Sequence, residues 1–256
     1  MLIEKISIDL YMFLLKNSIN KINNDIININ YLSKLNKKNE FKEIKELVAE
    51  LQVANLKYIL KLENKYQIAF WLNTFNFLLI FSIIYKKDVL ITNYEWYKFK
   101  KNAYFNIGGY ILSLFEIENI LLKNNYISKK IYGEISDFPK GDLRNRFIVN
   151  DRIKFLNFAI SEPMKTCNKL QIYFPQSLEK QIFKNAIDFF SKYIFIDSQN
   201  YIIKIPEYLS WLEEEFINNL PYYKDVINYD IFNYINGNKG KIEIVKNNWP
   251  LNFENI

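Results

Sequence analysis

The stretch IAFWLNTFNFLLIFSIIY, residues 68–85, decides the fold, because all of its residues are uncharged. A run of this length reaches the threshold for a membrane-crossing helix. Two Asn, a Thr and a Ser interrupt it, however, and Asn73 and Asn76 lie three apart on one helical face. Buried amides need hydrogen-bond partners, which a protein interior supplies more readily than lipid does. We therefore predict a core helix over Ile68 to Tyr85 and no integral membrane segment.

Helical patterns precede this segment. Ile3 to Leu15 is predicted as a first helix, and its interruption by Asp9 argues against a signal peptide. An Asn- and Lys-rich stretch with weak periodicity follows, from Asn17 to Asn39. Phe41 to Leu62 has apolar residues at a three-four spacing broken only at Asn55, which predicts one amphipathic helix. A partner-binding coiled coil is the alternative, although barely three heptads are present.

Two short local motifs follow the apolar segment. Tyr104 to Leu112 alternates around Gly108-Gly109, which predicts a tight hairpin. Ser113-Leu114-Phe115-Glu116 has the spacing of a capping box, so we predict a helix from Leu114 to about Lys123.

The remaining pattern alternates short strands with helices. Ser177 is placed to cap a helix through Tyr193. Pro206 suits the first turn of a helix through Phe216. The buried stripe of the first of these helices is predicted to be Ile182, Phe183, Ala186, Ile187 and Phe190. The predicted strands are Ile153 to Ile160, Leu170 to Phe174, Phe195-Ile196 paired with Tyr201 to Ile205, and Lys241 to Val245.

Together these elements predict an α+β fold in which a helical N-terminal layer packs on a small, mainly antiparallel sheet. No repeat, linker or shift of composition divides the chain, so we expect residues 1–256 to form one globular domain.

The composition excludes several kinds of site. The sequence has no histidine and a single cysteine, Cys167, so it can form neither an intramolecular disulfide nor a zinc site of nitrogen and sulfur ligands. We expect a reducing, cytoplasmic setting and no cofactor. Lys and Arg exceed Asp and Glu by 34 to 28, a net charge of +6 carried almost wholly by Lys. The abundance of Ile, Asn, Lys and Tyr is typical of an AT-rich genome. The basic balance is therefore weak support for a nucleic-acid or lipid-surface partner.

Four segments, in order, resemble a known family. They are Gln67 to Asn76, Ile107-Gly108-Gly109 leading to Ser113 to Glu118, Arg152-Ile153 with Thr166 to Pro175, and Asn248 to Asn252. The set resembles the family called domain of unknown function 547, over about residues 41 to 252, with residues 1–40 as an N-terminal extension. The Cys and His pattern of that family has invited comparison with papain-like and transglutaminase-like thiol enzymes. The resemblance thus implies a fold and a thiol chemistry of that kind as one expectation.

This chain departs from the family pattern where such chemistry would act. Members tend to have His after Ile-Glu, and here Asn119 follows Glu118. They also tend to have His after Arg-Ile, and here that position is Lys154. Cys167 aligns with a family Cys, but Asn168 and Lys169 replace two prolines. Neither an amide nor a protonated amine relays a proton near neutral pH as imidazole does.

The resemblance therefore leaves a vestigial set of site candidates: Cys167, Glu118, Lys154 and Asn73. Cys167 is either a nucleophile assisted by a nearby charge or a small buried hydrophobe. Asn73 and Asn76 are either helix-to-loop hydrogen bonders or oxyanion donors. The only arginines are Arg144, Arg146 and Arg152, whose rigid forks suit either an ion pair with a carboxylate or an anion site.

Three function classes remain open. The first is a non-catalytic domain, a pseudoenzyme that binds a protein partner or serves as a structural subunit. The second is a thiol-dependent hydrolase or transferase that uses Cys167 without histidine. The third is a basic nucleic-acid or lipid-surface binder. No Gly-rich phosphate loop and no carboxylate cluster at metal-ligand spacing occurs in the sequence.

Overall fold

An apolar helix, α2 (Asn64–Lys86), forms the centre of the core in the computed structural model of the chain, preceded by helix α1 (Asn39–Gln52). Every residue from Ile68 to Ile80 is buried, including the interrupting amides Asn73 and Asn76. The predicted core helix is therefore confirmed. Within the described part of the chain, no helix combines the length and the apolar character that crossing a bilayer requires.

The structure describes residues 39–86, 93–122, 138–149, 153–160, 171–197, 199–200, 202–206, 220–238 and 241–245. The predicted helix Ile3 to Leu15, most of the Asn-rich stretch after it, Arg152, Cys167 and the family segment Asn248 to Asn252 lie outside these residues.

The single helix predicted over Phe41 to Leu62 is wrong. Helix α1 ends at Gln52, and a short 3-10 helix, Ile59–Lys61, follows an irregular connection. Asn55 Oδ1 accepts a hydrogen bond from the backbone N–H of Lys57 at 3.1 Å, a local bond that competes with helix formation. The one polar residue in the apolar stripe thus marks the break.

The predicted hairpin is confirmed and docks on this connection. Helix α3 (Asn93–Asn102) leads into β1 (Tyr104–Ile107) and β2 (Tyr110–Ser113), which pair antiparallel across Gly108-Gly109. Both glycines have positive φ, as the tight hairpin turn requires. A Cβ on Gly108 would lie 2.4 Å from the Ala54 carbonyl oxygen, so only glycine permits this close approach.

The predicted capping box is also confirmed. Ser113 Oγ accepts from the Glu116 N–H at 3.1 Å, and Glu116 Oε2 accepts from the Ser113 N–H at 2.7 Å. The helix that it starts, α4 (Leu114–Glu116), is not the regular helix that we predicted. It continues as a π-helical turn, Ile117–Leu122, in which every residue is buried.

Two of the predicted strands are wrong. Phe155 adopts a left-handed conformation with φ 66°, and a 3-10 helix, Leu156–Ala159, follows it in place of the strand predicted over Ile153 to Ile160. Residues 171–174, where the next strand was predicted, do not pair in a sheet. Instead the backbone of Tyr173 bonds to the side chain of Asn73.

The C-terminal half contains α5 (Leu178–Tyr193), β3 (Phe195–Asp197), β4 (Ile202–Pro206), α6 (Leu220–Tyr223), α7 (Tyr229–Asn238) and β5 (Lys241–Val245). Strand β3 pairs antiparallel with β4 as predicted, and β5 pairs parallel with β4. Pro206 is the last residue of β4, and the rest of the helix predicted through Phe216 lies outside the described residues. The α+β class is confirmed, and the strands form two small sheets, one antiparallel and one mixed.

Helix α5 differs from its predicted burial in detail. Ile182, Ala186 and Phe190 are buried as predicted, whereas Phe183 is exposed and Phe189 takes its place in the core. Ser177 does not cap the backbone; its hydroxyl bonds to Gln181 Oε1 at 3.1 Å.

Candidate functional site

Glu118 lies on the π-helical turn and forms a buried ion pair with Lys100 of α3. Lys100 Nζ donates to Glu118 Oε2 at 2.6 Å, and the two residues are 1% and 3% exposed. The ammonium also lies 5.6 Å from the centroid of the Trp96 ring. Removing both charges from water carries a large desolvation cost, which this short charge-assisted bond and the aromatic ring offset.

Asn119 occupies the position at which the family resemblance implies a histidine. Its side chain is buried, and Nδ2 donates to the carbonyl oxygen of Phe115 at 3.1 Å. This bond runs back along the chain to the preceding turn. The amide therefore satisfies backbone where the α-helix gives way to the π-helical turn.

Asn73 links α2 to the extended segment 171–174. Asn73 Nδ2 donates to the Tyr173 carbonyl oxygen, and the Tyr173 N–H donates to Asn73 Oδ1, both at 2.9 Å. One turn later, Asn76 Nδ2 donates to the Ala159 carbonyl oxygen at 3.5 Å. Both amides of the core helix thus bond to the backbone of surrounding segments, and Asn73 does so with the reciprocal pair of bonds that a β-bridge makes.

Further amides secure the same segment. The hydroxyl of Tyr173 accepts from Asn185 Nδ2 at 2.8 Å and from Gln171 Nε2 at 3.3 Å. Gln181 donates to the Ile172 carbonyl oxygen at 2.6 Å and accepts from the Phe174 N–H at 2.8 Å. Residues 171–174 are therefore held by neutral amide side chains. None of these partners ionises near neutral pH.

Lys154, the second position at which the resemblance implies histidine, lies at the surface. Its Nζ pairs with Asp225 at 3.3 Å and lies over the rings of Phe155 and Tyr222 at 4.8 and 4.7 Å. The structure thus places Lys154 in a solvated ion pair, while Glu118 and Asn119 are in the core.

Arg144 is the centre of a polar cluster beside the hairpin. Its guanidinium donates to both oxygens of Asp142, to Glu116 Oε1 at 3.2 Å and to the Ile111 carbonyl oxygen at 3.1 Å. The hydrogen bonds from Arg144 hold the pKa of the Asp142 carboxyl below its usual range, and those same bonds raise the pKa of Arg144. The ring of Phe138 stacks on this guanidinium at 4.2 Å. Arg144 therefore belongs to an intramolecular ion-pair cluster.

Arg146 is exposed, and Arg152 and Cys167 lie outside the described residues. Among the residues that the structure describes, no group of three or more Asp, Glu or Cys side chains is arranged to hold a metal ion.

Sequence reasoning did not single out Lys100. It is one of three lysines in the helix NYEWYKFKKN, and the other two, Lys98 and Lys101, are exposed. The available signal was its spacing of four residues from Trp96, which places the two on one helical face.

The comparisons with known proteins agree with the resemblance. A family model described as "Protein of unknown function, DUF547" matches residues 59–190, just over half of the chain. No curated protein and no solved structure matches the chain. A papain-like or transglutaminase-like fold therefore stays a prediction. The match covers the core helix, the hairpin, the π-helical turn and most of α5, and on this basis the chain belongs to the DUF547 family.

Proposed function

We propose that this chain is a non-catalytic member of its family that acts through its surface, as a protein-binding or structural domain. The observation that carries the proposal is that Glu118 and Asn119, which lie where the family pattern has Glu and His, are both engaged in buried intramolecular bonds. The Glu118 carboxylate is bound to the buried Lys100 ammonium, and the Asn119 amide donates to backbone. A general base needs a lone pair that takes up a proton near neutral pH.

The other described candidates support the same proposal. Asn73 binds the backbone of Tyr173 through both its amide nitrogen and its amide oxygen, which supports a structural role rather than that of an oxyanion donor. Lys154 is exposed and its Nζ is paired with Asp225, which supports a role in a surface ion pair rather than as a general base. These side chains all have structural partners.

A single domain and an intracellular, reducing location remain part of the proposal. The main hydrophobic cluster draws residues from Leu51 to Ile235, which supports one folding unit. Cys167 is the only cysteine in the sequence, which favours a compartment where disulfides are not needed.

The alkylation rate of Cys167 tests the proposal against the thiol-enzyme alternative. Since the sequence has one cysteine, all labelling by iodoacetamide reports on that residue, and Cys167→Ala supplies the blank. A catalytic thiolate has a depressed pKa and stays ionised at pH 6, whereas an ordinary thiol with a pKa of about 8.5 is almost wholly protonated there. We expect a rate at pH 6 no higher than that of a cysteine-containing peptide.

A rate more than about tenfold above that of the peptide would overturn the proposal. The threshold is modest because a low-pKa thiolate is intrinsically less nucleophilic.

The basic-binder alternative makes a separate prediction. It requires affinity for an oligonucleotide or for phosphatidylserine vesicles that falls steeply with salt. We expect no such binding at physiological salt.

A further inference from the structure

The backbone is strained at Phe155. This residue has φ 66° and ψ 18°, a left-handed conformation that a bulky aromatic residue disfavours. Its ring is nonetheless buried, at 5% exposed. Strain of this kind persists only where the surrounding structure holds the residue in place. The contacts around Phe155 therefore identify the segments that maintain its conformation.

Helix α6 contributes two of the rings that enclose Phe155. The Tyr222 ring centroid lies 5.1 Å from that of Phe155, and the Tyr223 centroid lies 5.9 Å from it. Tyr223 also packs on Phe190 of α5, with centroids 5.5 Å apart. Helix α6 thus bridges the strained residue and the core.

The residue before Phe155 is held by the same segment. Lys154 Nζ lies 3.3 Å from Asp225 Oδ2 and 4.7 Å from the centroid of the Tyr222 ring. Two consecutive residues, Lys154 and Phe155, are therefore both in contact with residues 222–225.

Residues 220–227, which we call the clasp, are attached by few strong interactions. Helix α6 has only four residues, too few to form a stable helix alone. The side chains of the Lys154–Asp225 pair are 42% and 48% exposed, and ion pairs so exposed stabilise a fold little. The clasp also lies beyond residues 59–190, which the family model matches. Its buried anchors are Tyr223, Val226 and Ile227.

We propose that the clasp opens and closes as one unit with residues 153–160, and that its closure keeps Phe155 left-handed. Segments with few buried contacts open at a lower free energy than the whole fold does. Opening separates the rings of α6 from Phe155, lets the backbone relax and frees the Lys154 ammonium from Asp225. The open state thereby presents aromatic surface that the closed state buries. This device is independent of the chemistry of Cys167.

Hydrogen exchange of individual backbone amides, measured on the full chain, tests the coupling. The Ile227 N–H, bonded to the Tyr223 carbonyl oxygen at 3.0 Å, reports on the clasp. The Phe158 N–H, bonded to the Phe155 carbonyl oxygen at 2.9 Å, reports on the strained segment. The Gly108 N–H, which is bonded outside both segments, reports on opening of the whole fold.

Tyr222→Ala removes one ring from the clasp. We expect the Ile227 and Phe158 amides to exchange faster by the same factor, about fivefold, which corresponds to the loss of one aromatic pair. The Gly108 amide should keep its rate. Tyr229→Ala is the matched control, because it removes a ring that is 76% exposed in the next helix, α7, and it should change none of the three rates.

A pair of variants at Phe155 tests the strain itself. Phe155→Ala and Phe155→Gly both remove the ring, but only glycine adopts the left-handed conformation without a steric cost. The Ile227 amide should therefore exchange about threefold more slowly in Phe155→Gly than in Phe155→Ala. Exchange as fast or faster in the glycine variant would show that closure stores no strain at this residue, and would overturn the proposal.

The Tyr222→Ala result can also overturn it. An Ile227 amide that keeps its rate would show that the clasp does not open locally. A faster Ile227 amide beside an unchanged Phe158 amide would show that the two segments are not coupled. Acceleration of the Gly108 amide by the same factor would mean that only the whole fold opens.

Discussion

Glu116 and Glu118 lie two residues apart and meet opposite environments. Glu116 closes the capping box at the surface and pairs with Arg144, in a cluster about a quarter exposed. Glu118 lies in the π-helical turn, where every residue is buried, and pairs with Lys100. Water can replace a lost partner at Glu116 but not at Glu118. The same residue type therefore caps a helix at one position, whereas at the other it depends on a buried partner of opposite charge.

The largest expected effect comes from breaking the buried pair. Lys100→Met should lower the free energy of unfolding by about 3–5 kcal/mol, because it removes the Lys100 ammonium that pairs with the buried Glu118 carboxylate. Chemical denaturation measures it. Lys101→Met is the matched control, since Lys101 is the exposed neighbour on the same helix, and it should change stability by less than about 0.5 kcal/mol.

The double variant Lys100→Met with Glu118→Met sharpens this result. Replacing both charges removes the uncompensated carboxylate, so it should recover part of the stability lost in Lys100→Met alone. A single-variant loss below about 1 kcal/mol would show that Glu118 is not held in a water-excluded pair.

A buried neutral bridge should rank second. Asn73→Ala removes both bonds to the buried backbone of Tyr173, which should cost about 2–3 kcal/mol. Asn102→Ala, at an exposed position, is the control. Amide hydrogen exchange adds a local readout, because the Tyr173 N–H should lose protection in Asn73→Ala. Unchanged protection would contradict the described bridge.

The surface cluster should rank third. Arg144→Ala removes bonds to Asp142, Glu116 and Ile111, but each partner keeps access to water, so we expect a loss of about 1 kcal/mol. Arg146→Ala, two residues away and without an ion-pair partner among the described residues, should be nearly neutral. Equal losses in the two variants would mean that the Arg144 contacts contribute nothing specific.

The smallest expected effect is a dependence on pH. Arg144 lowers the pKa of the Asp142 carboxyl in the folded chain, so this carboxylate stabilises the fold above its unfolded pKa of about 4. The contribution disappears as pH falls through the lowered folded value. Asp142→Asn keeps the cap on the 3-10 helix and removes the charge. The free energies of unfolding of the wild type and of Asp142→Asn should converge as the pH is lowered through the acidic range. A difference that stays constant with pH would contradict the assignment.

The sequence predicted the parts of the fold that depend on neighbouring residues. The capping box at Ser113 and the hairpin turn at Gly108-Gly109 each depend on a few consecutive positions, and both are present. The partners of Glu118 and Asn73 were not predictable, because they lie 18 and 100 residues away. Nor does a local pattern reveal a π-helical turn, since α- and π-helices place similar residues in the core.

The false strand at Ile153 to Ile160 has a different cause. A short apolar run fits a buried strand or a buried helical turn equally well. Phe155 adopts a left-handed conformation that its residue type disfavours, and its ring is buried against Phe158 and Tyr223. Tertiary packing of aromatic rings therefore overrides the local preference of the backbone.

The most direct test of the central claim, that the family's site positions are structural here, is replacement of the chromosomal gene by the Cys167→Ala allele. We predict that the phenotype of a deletion strain is fully rescued, with protein abundance equal to wild type. Any stability cost should be about 1 kcal/mol if the thiol is buried. Loss of rescue by both Cys167→Ala and Cys167→Ser, in proteins that remain folded and abundant, would show that the thiol is chemically required and would contradict the account.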